Sequence, residues 1–275
     1  MKILNDVKKI TIEPFGGFGN NLQQIALAIM FAEKYKKYFI LNHHPLVEDI
    51  QLNFGNKFTF LSKTKRSRFF YFGSDKSIDY MIDPPLLKSD SKYYANNFSR
   101  TFKTYIKPNI HFLNYISLPD NLLVIHIRNY EGHPDYAQNP ISYYKYLYNK
   151  FEEILFVTDN PNSAIFGELK KFMKCEIQTS SLQNDFNTIY SAKNLATSGV
   201  GTFVIAAALL SDNLSNFYYS NLFLERALNP SMVPKNINKI NIYFDQFLHY
   251  GKWGEVEKVK NFITSDIKFN IVREN

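Results

Sequence analysis

The apolar positions of this 275-residue chain fall into short runs. The clearest is Leu122-Leu123-Val124-Ile125, which continues into His126-Ile127-Arg128 and then turns polar. A run this short and unbroken predicts a strand buried on both faces, as in a parallel sheet. Strand side chains alternate, so His126 and Arg128 leave that strand on one face. Ligands of open α/β sheets sit just beyond the carboxyl ends of such strands. Arg presents a rigid fork of donors that matches phosphate oxygens, so one reading of Arg128 is contact with a phosphorylated ligand. The other is an ion pair to a neighbouring carboxylate, with His126 a hydrogen-bonded core residue. Both stand on pattern alone.

Ahead of that strand, residues 8–15 alternate and stop at Gly16-Gly17-Phe18-Gly19-Asn20-Asn21. From Leu22 the positions Leu22, Ile25, Ala26, Ile29, Met30 and Ala32 keep helical spacing. Phe39-Ile40-Leu41 is a second strand, so the chain opens as a βαβ unit. The glycines let backbone amides approach a ligand, and the helix N-terminus favours an anion. A tight turn without a ligand is the alternative. The second strand ends in Asn42-His43-His44, not in an acid, and G-x-G-x-x-G is incomplete, which argues against a dinucleotide fingerprint. No Gly-Lys-Ser/Thr follows, so the loop is no P-loop. His43 and His44 fall in a loop facing an acceptor. Residues 45–116 are less regular. Short strands are predicted at 58–61 and 69–72, a loop at Asp83-Pro84-Pro85, and a helix from Tyr94 to Ile106 that stops at Pro108.

The second half repeats the rhythm. A polar loop covers 131–141 and a helix 143–151. A strand at 154–157 ends in Thr158-Asp159-Asn160-Pro161. Then come a helix at 162–173, a strand at 175–178, a helix at 185–192 and a strand at 194–197. Ser198-Gly199-Val200-Gly201-Thr202-Phe203 leads into a very apolar helix ending near Leu210, and Phe217-Tyr218-Tyr219 closes the sheet. Two such blocks predict an α/β protein with two Rossmann-like domains, 1–117 and 118–240, cut near Ser117-Leu118-Pro119-Asp120. Within 241–275, a helix from Phe244 to about Ser265 is expected to pack back across the junction.

Composition narrows the partners. Hydrophobic residues make up 45% and charged residues 21%, enough for a core and against wholesale disorder. The net charge of +7 suits an anionic ligand or an anionic membrane surface. The densest basic run, Lys63-Thr64-Lys65-Arg66-Ser67-Arg68, is short and reads as a solvated face. With no helix-turn-helix, zinc-finger or RNA-binding signature, a nucleic-acid partner is not expected. The single Cys175 excludes an intrachain disulfide and reads as a small core residue. Residues 1–9 lack the apolar core of a signal peptide, and no run reaches about 18 apolar residues. The expectation is a cytoplasmic protein with at most peripheral contact at the inner membrane face.

Taken in order, Gly-Gly-Phe-Gly-Asn-Asn-Leu (16–22), His-Ile-Arg (126–128), Asn139-Pro140-Ile141-Ser142-Tyr143-Tyr144, Phe156-Val157-Thr158-Asp159, Asp185-Phe186-Asn187 and 198–203 form a set. It resembles the bacterial α-1,2-fucosyltransferases of glycosyltransferase family 11 and the wider fucosyltransferase superfamily. That resemblance spans roughly 10–210. It implies a GT-B fold, two Rossmann-like domains facing across a cleft. It also implies a GDP-sugar donor, inversion at the sugar carbon, no required metal and no other cofactor. The chain contains no Asp-x-Asp, which argues against a GT-A transferase. Asn129, Tyr130 and Glu131 depart from the family's Arg-Gly-Asp, and Val204-Ile205 from its Trp pair, so sugar and acceptor identity are left open.

By the resemblance, Arg128 stabilises the leaving diphosphate. Gly17, Gly19, Asn20 and Asn21 approach the same phosphate, and Ser198, Thr202 and Phe203 open a helix that offers a second anion site. His126 contacts the nucleotide or orients Arg128. Asp159 or Asp185 receives the guanine or the ribose, or else caps a helix. Glu131 is the expected general base, with His133 and Asp135 close by. The expected reaction moves L-fucose from GDP-fucose to a glycan hydroxyl, on an acceptor that surface-polysaccharide synthesis would carry on a lipid. The alternatives are another GT-B transferase with a different nucleotide-sugar, or a non-catalytic nucleotide-sugar or glycan binder.

Overall fold

The computed structural model describes residues 9–55, 65–66, 91–128, 138–223, 227–245 and 256–274. The chain divides into two compact units, Met1–Leu113 with Glu225–Met232, and Asn114–Leu224 with Val233–Asn275. The boundary falls at Leu113/Asn114, just ahead of the expected cut, and a short segment beyond 220 belongs to the first unit.

The first unit carries a four-stranded sheet in the order β3-β2-β1-β4. β1 (Lys9–Thr11) is parallel to β2 (Tyr38–Leu41) and to β4 (Lys65–Arg66), while β3 (Ile50–Asn53) runs antiparallel to β2. The expected βαβ opening is therefore present. Two members of the basic run serve as a short strand; the rest of it, the strands at 58–61 and 69–72 and the loop at 83–85 lie outside the described residues. Helix α1 (Phe18–Lys34) starts inside the glycine motif, not at Leu22. It is buried all round from Leu22 to Ala32, Gln23 and Gln24 included. Both amides are used: Gln23 Oε1 accepts from Leu228 N–H, and Gln24 holds the loop described below. Helix α2 (Ser91–Thr101) passes directly into a π-turn at Phe102–Ile106 and a 3-10 turn at Lys107–Asn109 containing Pro108. The expected stop at Pro108 holds, but the last turns are not α-helical.

The second unit is a Rossmann-like sheet of seven strands, ordered β11-β10-β9-β8-β5-β6-β7. The members are β5 (Leu123–Ile127), β6 (Ile154–Thr158), β7 (Glu176–Gln178), β8 (Asn194–Thr197), β9 (Asn216–Ser220), β10 (Asn238–Phe244) and β11 (Phe269–Glu274). All neighbours are parallel except β11, which is antiparallel to β10. Counted from β5, the six parallel strands stand in the order 3-2-1-4-5-6 of the doubly wound nucleotide-binding fold. The crossovers carry α3 (Ile141–Tyr148), α4 (Ala164–Leu169), α5 (Leu182–Ser191) and α6 (Thr202–Leu210). β5 and β8 are buried at every position, which explains the apolar run that opens β5.

The C-terminal expectation is corrected. Ile240, Ile242 and Phe244 are buried alternately, the period of a strand, so Phe244 ends β10 instead of opening a helix. The helix there, α7 (Val256–Thr264), is short and packs on α4 within the same unit. Sheet closure at Phe217–Tyr219 is corrected with it, since β10 and β11 extend the sheet beyond β9.

One polar feature runs along the amino edge of this sheet. Asn194, Asn216 and Asn238 open β8, β9 and β10 in register. Asn238 Nδ2 donates to Asn216 Oδ1 (2.8 Å), and Asn216 Nδ2 donates to Asn194 Oδ1 (2.7 Å). Asn194 Nδ2 completes the chain by donating to the carbonyls of Asp120 (2.9 Å) and Leu122 (3.2 Å). Among the described residues no helix is long and apolar enough to cross a membrane.

Candidate functional site

In the second unit the chain runs β5, β6, β7 to one side, then returns to place β8 on the other side of β5. The carboxyl ends of β5 and β8 therefore form a switch point, where the two crossovers diverge and leave a crevice. Arg128 directly follows β5 there, and Ser198 directly follows β8. Arg128 N–H donates to Ser198 Oγ (3.2 Å). Gly199 then turns the chain with φ 121°, a region that L side chains rarely enter. Gly201 precedes α6, and a Cβ built on it would lie 4.0 Å from Arg128 Cβ. The guanidinium-bearing residue thus stands beside the N-terminus of α6, where unsatisfied N–H groups and the helix dipole favour an anion.

Gln138, which lies outside the motifs, and Asn139, which opens one of them without an assigned role, hold this arrangement. Gln138 pairs with Gly199 as an isolated bridge, and its Nε2 donates to the carbonyl of Arg128 (2.8 Å). Asn139 is fully buried. Its N–H donates to Ser198 O (2.8 Å), its Nδ2 to Thr197 O (3.0 Å), and its Oδ1 accepts from Ser220 Oγ (2.5 Å). One side chain thereby ties the ends of β8 and β9 to the segment that opens α3. The Asn139-Pro140 dipeptide marks a turn in sequence, but not these partners.

His126 is buried, with its ring 5.3 Å from that of Phe203, which in turn meets Phe186 at 5.0 Å. Burial, and then the neighbouring Arg128 charge, pull its pKa from 6.5 down to about 3. His126 is therefore a neutral wall of the site at physiological pH, packed against the first turn of α6. This neutrality has a cost in acid. Below pH 6.5 the unfolded chain takes up a proton that the folded chain refuses, so stability falls as pH drops from about 6.5 to about 3. The limiting slope is about 1.4 kcal/mol per pH unit for one such group. Urea unfolding of the second unit at pH 7.5, 6 and 5 is expected to show this slope, and His126→Gln to flatten it. An unchanged slope in the variant would exclude His126 as its source.

The remaining expectations divide. Thr202 and Phe203 open α6 at the switch point, as required. Ser198 is there too, but its Oγ receives the Arg128 amide and its carbonyl the Asn139 amide, so it positions the loop. Asp159 is exposed directly beyond β6, and the N-cap of α4 is Ser163, so the capping alternative for Asp159 falls. The buried Asp185 carboxylate accepts from Gln178 Nε2 (2.8 Å) and Ser180 N–H (3.3 Å), bracing the β7–α5 turn. The cap of α5 is Ser181, which accepts from Asn184 N–H, so the capping alternative for Asp185 falls. Glu131, His133 and Asp135 lie outside the described residues.

In the first unit the glycine motif is sharper than expected. Gly16 takes the left-handed turn (φ 85°), Gly17 is the extended N-cap of α1, and Gly19, Asn20 and Asn21 belong to its first turns. Gln24 grips Phe15 from below, with Nε2 donating to its carbonyl (2.8 Å) and Oε1 accepting its N–H (3.4 Å). His44 Nδ1 accepts from Leu46 N–H (3.1 Å), and Asn21 Nδ2 lies 3.2 Å from its Nε2. Burial lowers the His44 pKa.

No protein-family model matches this chain and no curated protein matches it.

Proposed function

We propose that the chain is an inverting, metal-independent glycosyltransferase of the GT-B kind that moves a sugar, L-fucose from GDP-fucose in the first instance, to a glycan hydroxyl. The observation that carries this reading is the juxtaposition of Arg128 with the N-terminus of α6 at the switch point of a 3-2-1-4-5-6 sheet. The second unit would hold the donor and the first the acceptor. A lipid-linked acceptor in surface-polysaccharide assembly would suit the +7 charge.

The acceptor oxygen attacks C1 of the sugar as the bond from C1 to the diphosphate oxygen breaks, inverting C1. Charge grows on the departing β-phosphate, where the Arg128 guanidinium and the first N–H groups of α6 oppose it. The acceptor proton passes to a carboxylate, assigned to Glu131 by the family resemblance. Asp159, at the carboxyl end of the second parallel strand, is the group assigned to the nucleoside.

A nucleotide panel tests the donor assignment. A ligand at 100 times its Kd stabilises by about 2.7 kcal/mol, so saturating GDP or GDP-fucose is expected to raise Tm by several degrees. UDP and ADP are expected to leave it unchanged. Stabilisation by UDP or ADP without GDP would overturn the GDP-sugar assignment. Stabilisation by GDP with no transfer to any glycan acceptor would favour the non-catalytic binder.

A further inference from the structure

We propose that the outer edge of β11 pairs with the same edge of a second copy of this chain, antiparallel and centred on Ile271, joining two sheets into one. Among the described residues β11 has β10 as its only neighbour. Half of its N–H and C=O groups therefore point out of the sheet. Natural edges are commonly blunted by proline, a bulge or a charge in mid-strand. β11 has none of these at Asn270-Ile271-Val272, and its six residues pair with β10 without interruption. Exposed apolar side chains gather here as well: Ile271 at 44%, Val272 at 45% and Tyr243 of β10 at 41%. Register places Tyr243 and Val272 on one face of the sheet and Ile271 on the other, beside the buried Ile242.

Self-pairing follows from register and charge. Outward-pointing residues alternate along β11, so antiparallel partners across a two-fold must share parity. Centring on Ile271 satisfies this and sets Ile271 against Ile271, Asn270 against Val272, and Phe269 against Arg273. It also brings the cationic position 268 opposite the acidic position 274, once at each end. Centring on Asn270 would oppose Asp266 to Glu274, and centring on Val272 would set position 274 against Asn270 instead of Lys268. The edge is thus complementary to itself in one register, which favours a second copy over an unrelated strand. The inference is independent of the reaction proposed above.

Sedimentation velocity of the full chain at low salt, from about 1 to 100 μM, is expected to show a reversible dimer, since an edge pairing of this size gives modest affinity. Ile271→Lys places two ammonium groups face to face and is expected to give monomer. Its melting temperature should hold, because Ile271 is already largely solvated. Glu274→Lys alone is expected to weaken the dimer about tenfold, and Lys268→Glu with Glu274→Lys to restore it. A wild-type monomer across the range overturns the proposal, as does a dimer that Ile271→Lys and Glu274→Lys leave intact. Failure of the double swap to restore pairing overturns the register centred on Ile271.

Discussion

Arg128→Ala is expected to slow sugar transfer by about 10²- to 10³-fold, the loss typical when one preorganised group facing transition-state charge is removed. The effect should fall on kcat more than on donor KM, because the charge it opposes grows as the C1–oxygen bond breaks. Stability should change little. Arg128 is anchored through its N–H to Ser198 and its carbonyl to Gln138, and both bonds survive truncation of the side chain. Arg128→Lys keeps a charge but not the two-pronged geometry, and should fall between the two. Single-turnover release of GDP from a GDP-sugar reads all three proteins. Transfer by Arg128→Ala within about threefold of wild type would remove Arg128 from the mechanism.

The second large effect is on stability. Asn139→Ala removes the Nδ2 donor from the Thr197 carbonyl and the acceptor of the Ser220 hydroxyl, which keeps the Leu222 N–H, at a fully buried position. Unsatisfied buried polar groups cost about 1–3 kcal/mol each, so a loss of about 2–4 kcal/mol is expected. That corresponds to a Tm lower by about 5–15 °C. Asn139→Asp should be no milder, because a carboxylate would face the Thr197 carbonyl. Because Asn139 also holds Ser198 by donating its backbone N–H to the Ser198 carbonyl, transfer should decline with stability instead of independently of it. An unfolding free energy in urea lowered by less than about 1 kcal/mol would show that water or rearrangement replaces those bonds.

What the sequence disclosed follows the range of the interactions involved. β5 and β6 are legible because buried strands read as apolar runs, a purely local signal. The glycine motif announced a strand-to-helix turn, but which glycine carries the positive φ depends on where α1 starts. That point is fixed by Gln24 reaching back to Phe15. Asn139 was visible only as part of a motif, since its partners lie 58 and 81 residues away. The sequence around Asp185 does not announce its partners Gln178 and Ser180. β10 alternates at Ile240, Ile242 and Phe244, but the expected closure at Phe217–Tyr219 leaves it unassigned, and the expected helix overlaps it only at Phe244.

The asparagine chain along the amino edge bears on how the second unit can move. Three amides donate in one direction and end on the carbonyls of Asp120 and Leu122, the entrance to β5. Sliding β8, β9 or β10 along its neighbour by even one residue would break the relay and turn side chains to the wrong face. The strand that delivers Arg128 and the strand that delivers Ser198 are therefore locked together from the end remote from the chemistry. Substrate-driven motion cannot come from shear within this sheet. It has to come from the loops beyond the carboxyl edge, which include the turn at 198–201 that carries Ser198 into α6.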